Sequence, residues 1–486
     1  MSCRLLMFTG VASGIVCGVV TWGLAGAARA DSTAPEVPLE TAPKYLMLDS
    51  RVIDTTDNAR LVLGTVQKDP RNPLFGEDKP WEPRFDNLYP NVTFDEQEGI
   101  YKCWYSPFIT DKATVTATDE IKSKMTYCQR LSEVNERSSA LCYAMSRDGI
   151  AWQKPDLGIT EHNGSTSNNL VKLLVHGVGI VNDPRDPDPN RRFKMFCKDG
   201  GISVCFSPDG VHWSELVDCP EINVAGDTHN NAFWDERSGR YVGITRRWRD
   251  GYRVVARTES PDFVNWEEAK DIFRGIELPR HVYAMPVFRY ANVYLGLATI
   301  LDTRTDMVDC ELAWSPDTVH WQHVAPGKPL IPRGPEGTYD SGCIYAAAYP
   351  VIREGQIRIY YGGGDGAHCS WRKGYFCLAR LRPDGFAGYE PVDPEATATI
   401  VTQSIPCIGN QLTVSADASG GSLRVAVLGS DDLELDLCRT IADDVTDHAV
   451  TWKSNADLAT FQGQSVRLKF ELKRARLYAF GFGPSE

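Results

Sequence analysis

Ser146-Arg-Asp-Gly-Ile-Ala-Trp152 returns as Ser207-Pro-Asp-Gly-Val-His-Trp213, as Ser260-Pro-Asp-Phe-Val-Asn-Trp266 and as Ser315-Pro-Asp-Thr-Val-His-Trp321. A fifth, worn copy reads Arg382-Pro-Asp-Gly-Phe-Ala-Gly-Tyr389. The aspartates at 148, 209, 262, 317 and 384 are spaced by 61, 53, 55 and 67 residues, about the length of a four-stranded blade with its loops. Five copies of one supersecondary unit predict an all-β chain built on a five-bladed β-propeller.

Each copy has a physical reason to exist. A short Ser or Asp side chain hydrogen-bonds the backbone inside a tight turn, Gly or Pro sets the dihedrals, and the Trp covers the seam between blades. These residues read as structural. Between copies the chain alternates as short strands do: residues 92–105 are a strand, a polar turn at Gly99 and a second strand, and residues 232–245 repeat the plan around Gly239. One stretch, Asp119 to Val134, has a helical period and reads as an insertion in the first blade. After Pro394 the repeat stops but alternation continues, as in residues 422–428 and 465–472, which predicts a C-terminal antiparallel β-sandwich over 395–486 behind a propeller over 31–394.

The first thirty residues carry Arg4, an apolar run from Leu5 to about Leu24 and a small-residue exit, Ala25-Gly-Ala-Ala-Arg-Ala30. That order predicts a cleavable signal peptide over 1–30 and a secreted or periplasmic protein with no membrane span afterwards. Removing it takes away Arg4 and Arg29 and no acid, so the formal net charge of −13 becomes −15. An acidic surface repels phosphate backbones, so nucleic acid is not an expected partner. Cys3 and Cys17 leave with the signal, and the remaining cysteines are even in number in an oxidising compartment. Cys197 and Cys205, flanking an apparent hairpin, are either a disulfide or two buried thiols. No Cys-x-x-Cys pair occurs, and neither a metal nor an organic cofactor is expected.

In a propeller the first residues of the innermost strands converge on one end of the central channel. The expected starts are Arg84-Phe-Asp86-Asn-Leu-Tyr89, Ile180-Val-Asn-Asp183, Gly226-Asp227-Thr-His229, Arg280-His281-Val-Tyr283 and Glu336-Gly-Thr-Tyr-Asp340. Four of the five carry a carboxylate. Acids gathered in one pocket repel, so some pKa values rise while others stay low. Glycoside hydrolysis needs that split: a protonated acid for the leaving oxygen and a carboxylate as nucleophile or as base on water. Arg280 could hold an acid ionised or bind a substrate group. For each acid singly, a turn-capping role is the rival explanation.

The Ser-Pro-Asp-x-Val-x-Trp turns, an Asp near each early inner strand and a trailing β-sandwich resemble the five-bladed propeller glycoside hydrolases of families 32 and 43. The resemblance implies a carbohydrate substrate, with Asp86 as nucleophile or general base, Asp183 as the orienting acid and Asp227 as general acid. Arg84, His229, Arg280, His281, Tyr283, Glu336 and Asp340 would then bind substrate. The chain departs from family 32 in lacking its Asn-Asp-Pro-Asn-Gly signature and its Glu-Cys pair, so Glu336, Asp340 or His229 remain alternatives for the proton donor.

Sugar sites also offer an aromatic face, and Trp81, Trp104, Trp248 and Trp371 lie outside the repeated turns. His176, His281 and His368 sit near expected loop ends and suit substrate hydrogen bonds. Two other functions fit the same pattern: a glycan-binding propeller without turnover, and a sialidase-like hydrolase, which would need three clustered arginines and a Tyr-Glu pair.

Overall fold

The computed structural model describes residues 37–484; the expected signal peptide at 1–30 lies outside them. Those residues are almost entirely β, arranged as antiparallel sheets that follow one another along the chain. The first unit pairs Arg84–Asp95, Ile100–Asp111, Arg137–Ser146 and Leu170–Leu173, and the second pairs His176–Asn182, Phe193–Asp199, Gly201–Ser207 and Val217–Asp218. Asn231–Asp235, Arg240–Arg249, Tyr252–Ser260 and Lys270–Arg274 form the third. The fourth runs from Arg280–Ala284 and Val287–Tyr290 through Val293–Asp302 and Met307–Ser315 to Gln322–His323. A single parallel pairing, Val308 with Cys343, joins it to the fifth.

The fifth unit contains Cys343–Ala346, Gln356–Gly364 and Gly374–Leu381, and its outer strand is supplied by residues that precede the first unit. Gln67–Lys68 and Phe75–Gly76 both pair with Gly374–Leu381. The buried Asp340 accepts from Lys68 Nζ at 2.5 Å and from Tyr361 Oη at 2.8 Å, which fixes this added edge.

The repeated turns explain how neighbours meet. In each of the first four, one aspartate oxygen accepts the backbone N–H groups two and three residues on, as Asp209 does from Val211 at 2.8 Å and His212 at 2.9 Å. These bonds secure a left-handed residue at the fourth position, even where it is Phe263 (φ 67°) or Thr318 (φ 69°) instead of glycine. The turn then presents carbonyls to the unit before it. Lys102 and Trp104 of the first unit donate to Asp209 O and Gly210 O, at 3.2 and 2.6 Å. Arg191 of the second reaches Asp262 O, and Arg237 of the third reaches Pro316 O. Tyr290 of the fourth donates to the Asp384 carboxylate at 2.9 Å, and Arg358 and Tyr360 of the fifth return to Asp148 O and Gly149 O, at 2.7 and 2.9 Å. The apolar cores follow the same order: separate clusters join first to second, second to third, third to fourth, fourth to fifth and fifth to first.

The remaining strands form two antiparallel sheets over one core that includes Tyr45, Val414, Trp452, Phe470 and Phe480. Their membership corrects the boundary expected at 395. Lys44–Leu46 pairs with Arg476–Gly483, Ile53–Asp57 with Ala398–Thr402, and Ala59–Leu63 with Ala387–Pro391. The sandwich therefore draws on both ends of the described chain. Short edge strands acquire apolar partners only through the tertiary fold, which local alternation does not reveal.

The insertion after the first unit's second strand holds three short helices, Lys112–Val115, Asp119–Lys124 and Tyr127–Val134. Asp111, Thr118 and Thr126 cap them, Thr126 with Gln129 in a reciprocal capping box. A disulfide joins Cys128 of the last helix to Cys369 in the fifth unit's loop. Cys197 and Cys205 are buried thiols, because the register pairs Cys197 with Ser203 and Cys205 with Met195.

Candidate active site

Side chains from all five units line a cavity of about 140 Å³. Asp86 and Arg137 come from the first unit, with Tyr127 and Leu131 from its insertion; His176 opens the second, Asp227 precedes the third, Tyr283 lies in the fourth and His368 in the fifth unit's loop.

Asp86 sits near the start of its strand with 15% of its side chain exposed. Arg372, fully buried, donates to the Asp86 carbonyl, to Asp86 Oδ1 at 3.3 Å and to Asn87 Oδ1 at 3.1 Å. Arg84 Nε lies 3.9 Å from the same carboxylate oxygen, and its guanidinium is 3.5 Å from the centre of the Tyr127 ring. Burial pushes the Asp86 carboxyl up, but Arg372 and then Arg84 outweigh it and hold the group below its ordinary value. Tyr127 is anchored by its hydroxyl, which donates to Asp111 Oδ2 at 2.6 Å.

Asp227 is more open, with 59% of its side chain exposed. His176 Nε2 lies 3.3 Å from its Oδ1, and Arg246 Nη2 donates to Oδ2 at 3.1 Å. The contact with His176 and the charge of Arg246 keep this carboxyl well below the usual carboxylate range. His176 stacks on Phe108 at 5.9 Å and meets the edge of Tyr89 at 5.6 Å. His368 shares a 2.9 Å hydrogen bond with the Tyr345 hydroxyl, and burial followed by the charge of Arg372 takes it down to about 4, so it is neutral at ordinary pH.

Of the residues expected here, Asp86, Arg84, Asp227 and Tyr283 do meet. His229 lies just beneath, 2% exposed against Tyr89, with burial lowering it to about 3. His281 is buried between Tyr252 and Trp248 beside the Asp227 wall. Four of the expected residues stand elsewhere. Asp183 stands at the far end of its strand, because that strand begins at His176; there it accepts from Tyr241 Oη at 2.6 Å and pairs with Arg185 and Lys194. Arg280 pairs with Glu311 and Asp302 away from the cavity. Glu336 is exposed in a loop, and Asp340 binds the closing strand described above. Of the four tryptophans, Trp104 is buried, Trp81 donates to Asn169 and Trp371 to Met125 O, while Trp248 is 54% exposed.

Sequence reasoning missed Arg137, Arg246, Arg253 and Arg372. They stand on strands or loops outside any motif, where alternation alone reads as a solvated face. Among the described residues no group of three or more His, Cys, Asp or Glu is placed to hold a metal ion. No helix among them is long and apolar enough to cross a membrane.

No family model matches the chain, and no curated protein is matched by it. Among solved structures it is similar to a glycosyl hydrolase from Bacteroides ovatus, with a TM-score of 0.45 at 14% identity over 68% of this chain and 97% of that one. It is similar to an N-acetylgalactosamine deacetylase from F. plautii in complex with blood group B trisaccharide, with a TM-score of 0.42 at 14% identity over 67% and 96% of the two chains. A structure described for the family 130 mannoside phosphorylases, which contain glycoside hydrolases that target β-1,2-mannosidic linkages in Candida mannan, gives 0.43 at 14% identity over 66% and 95%. All three scores lie below 0.5, and the chemistry assigned to the cavity rests on its own side chains.

Proposed function

We propose that the five units are the blades of a five-bladed β-propeller and that the cavity is the active site of a carbohydrate-active hydrolase that cleaves a glycosidic bond. The observation that carries this reading is the meeting of Asp86 and Asp227, from different units, on one small cavity where each has its own cationic partner. Asp86, held ionised, supplies the carboxylate that attacks the sugar or activates water. Asp227 and His176, 3.3 Å apart, form a pair that can share and deliver a proton to the leaving oxygen. Tyr283 and His368 border the space where a sugar would lie. A signal at 1–30 and the Cys128–Cys369 disulfide fit a protein matured outside the cytoplasm.

A second reading, glycan binding without turnover, is favoured by one observation: neither carboxylate is held protonated. Sugar release from a panel of plant and algal glycans separates the two. The hydrolase reading expects release by the parent and loss of at least about 100-fold in Asp86→Asn and Asp227→Asn, both still folded. Binding without release on every glycan would establish the second reading.

A further inference from the structure

The chain carries a formal net charge of −13, yet it gathers five arginines around one cavity: Arg84, Arg137, Arg246, Arg253 and Arg372. Their acidic partners there are Asp86, Asp227, Asp111 and Glu77, so the arginines still outnumber the acids. Four of the arginines stand in two close pairs, largely buried. Arg84 and Arg372 share Asp86, while Arg246 and Arg253 both pack on the Tyr283 ring, with guanidinium carbons 4.9 and 5.1 Å from its centre. Within each pair one guanidinium is destabilised by the other as well as by burial. Like charges crowded in a partly dry place are unfavourable until an anion arrives.

Arg253 is poorly satisfied. Among the described residues its buried Nε has no hydrogen-bond acceptor, and its Nη1 approaches His281 Nδ1 at 3.5 Å. It lies between the Tyr283 ring and that of Trp248, whose centre is 4.5 Å away. Trp248 is 54% exposed, a free aromatic face of the kind that stacks on the C–H side of a sugar. Arg246, next to it, already spans Asp227 Oδ2 and the Tyr283 carbonyl, both at 3.1 Å.

We propose that the site is built for an anionic sugar: a glycosyl unit bearing a carboxylate or a sulfate, whose oxyanion is received by Arg253 with support from Arg246 while its ring lies on Trp248. This rests on the reading of the cavity as a glycan site and narrows its substrate class. A guanidinium fork offers two parallel N–H groups to such an oxyanion, and an acidic protein with one cationic mouth selects for anions there and repels them elsewhere.

Calorimetric titration of the full chain tests it, with a uronic-acid oligosaccharide, a sulfated oligosaccharide, their neutral counterparts and inorganic sulfate and phosphate alone. Anionic sugars are expected to bind at least about tenfold more tightly than neutral ones, to weaken as salt rises, and to lose about tenfold or more in Arg253→Gln. Arg253→Lys keeps the charge but not the fork, and is expected to recover only part of that loss. Melting temperatures confirm that both variants fold. Equal binding of neutral and anionic sugars, unchanged in Arg253→Gln, overturns the anion proposal and leaves the glycan reading standing. Binding of inorganic oxyanions without any sugar, or of nothing at all, overturns both.

Discussion

Arg372 sets the protonation state of Asp86 against the effect of burial, and its removal has a definite sign. A carboxyl held below its ordinary value stays ionised to a lower pH than a free one, so turnover that needs ionised Asp86 persists further into acid. In Arg372→Gln burial loses its main opponent, the Asp86 pKa rises, and the acid limb of kcat/KM moves up by about one pH unit or more. A pH profile that does not move would remove Asp86 from the ionised role. The positions of Asp86 and Asp227 were legible because each stands at or just before the first strand of its unit. Asp183 was misplaced because the strand was expected to start at Ile180, beyond Gly177 and Gly179. They are instead part of the strand from His176, where a Cβ at Gly179 would meet Asn230 O at 2.2 Å. The arginines gave no signal, since an Arg on a strand or in a loop looks the same whether it faces water or a buried carboxylate.

The helix Tyr127–Val134 is the element that narrows the cavity, and it contributes Tyr127, Cys128 and Leu131 to the wall. Its own length of eight residues would not make it stable in isolation. The capping box, the Tyr127 hydroxyl on Asp111 and the disulfide to Cys369 hold it across two units. In a Cys128→Ser, Cys369→Ser double variant the helix must be ordered at each binding event, so KM for the preferred glycan rises about tenfold while kcat changes less. Thermal unfolding of the same variant, which opens a loop spanning 241 residues, should report at most about 5 kcal/mol lost. Unchanged KM would mean that the helix keeps its place without the bond. The helical period of this insertion was visible in sequence. Its target was not, because a disulfide joins residues that only the closed fold brings together.

Five copies of a turn gave the number of units, and the structure adds that each turn is gripped by a side chain from the unit before it. That grip could not be read, since Lys102, Arg191, Arg237, Tyr290 and Arg358 are not of one residue type and belong to no repeated motif. The two-sheet domain was legible only by half. Its N-terminal strands, together with Leu46 and Leu48, pack into the same core that binds the fourth and fifth units, so the domain cannot be detached cleanly. Truncation after Pro394 is therefore expected to give insoluble protein, and a soluble, cooperatively melting product of residues 31–394 would show the two parts to be separable. The strands at 44–63 and 67–76 are synthesised early, yet their partners lie at 374–402 and 476–483. A chain made from its N-terminus thus carries the strands at 53–76 unpaired until residues 374–402 have been made, and Lys44–Leu46 until residues 476–483 have been made. Closure of the fifth unit's sheet and completion of the two-sheet domain therefore wait for residues far along the chain, at the slow pace that long-range strand pairing imposes.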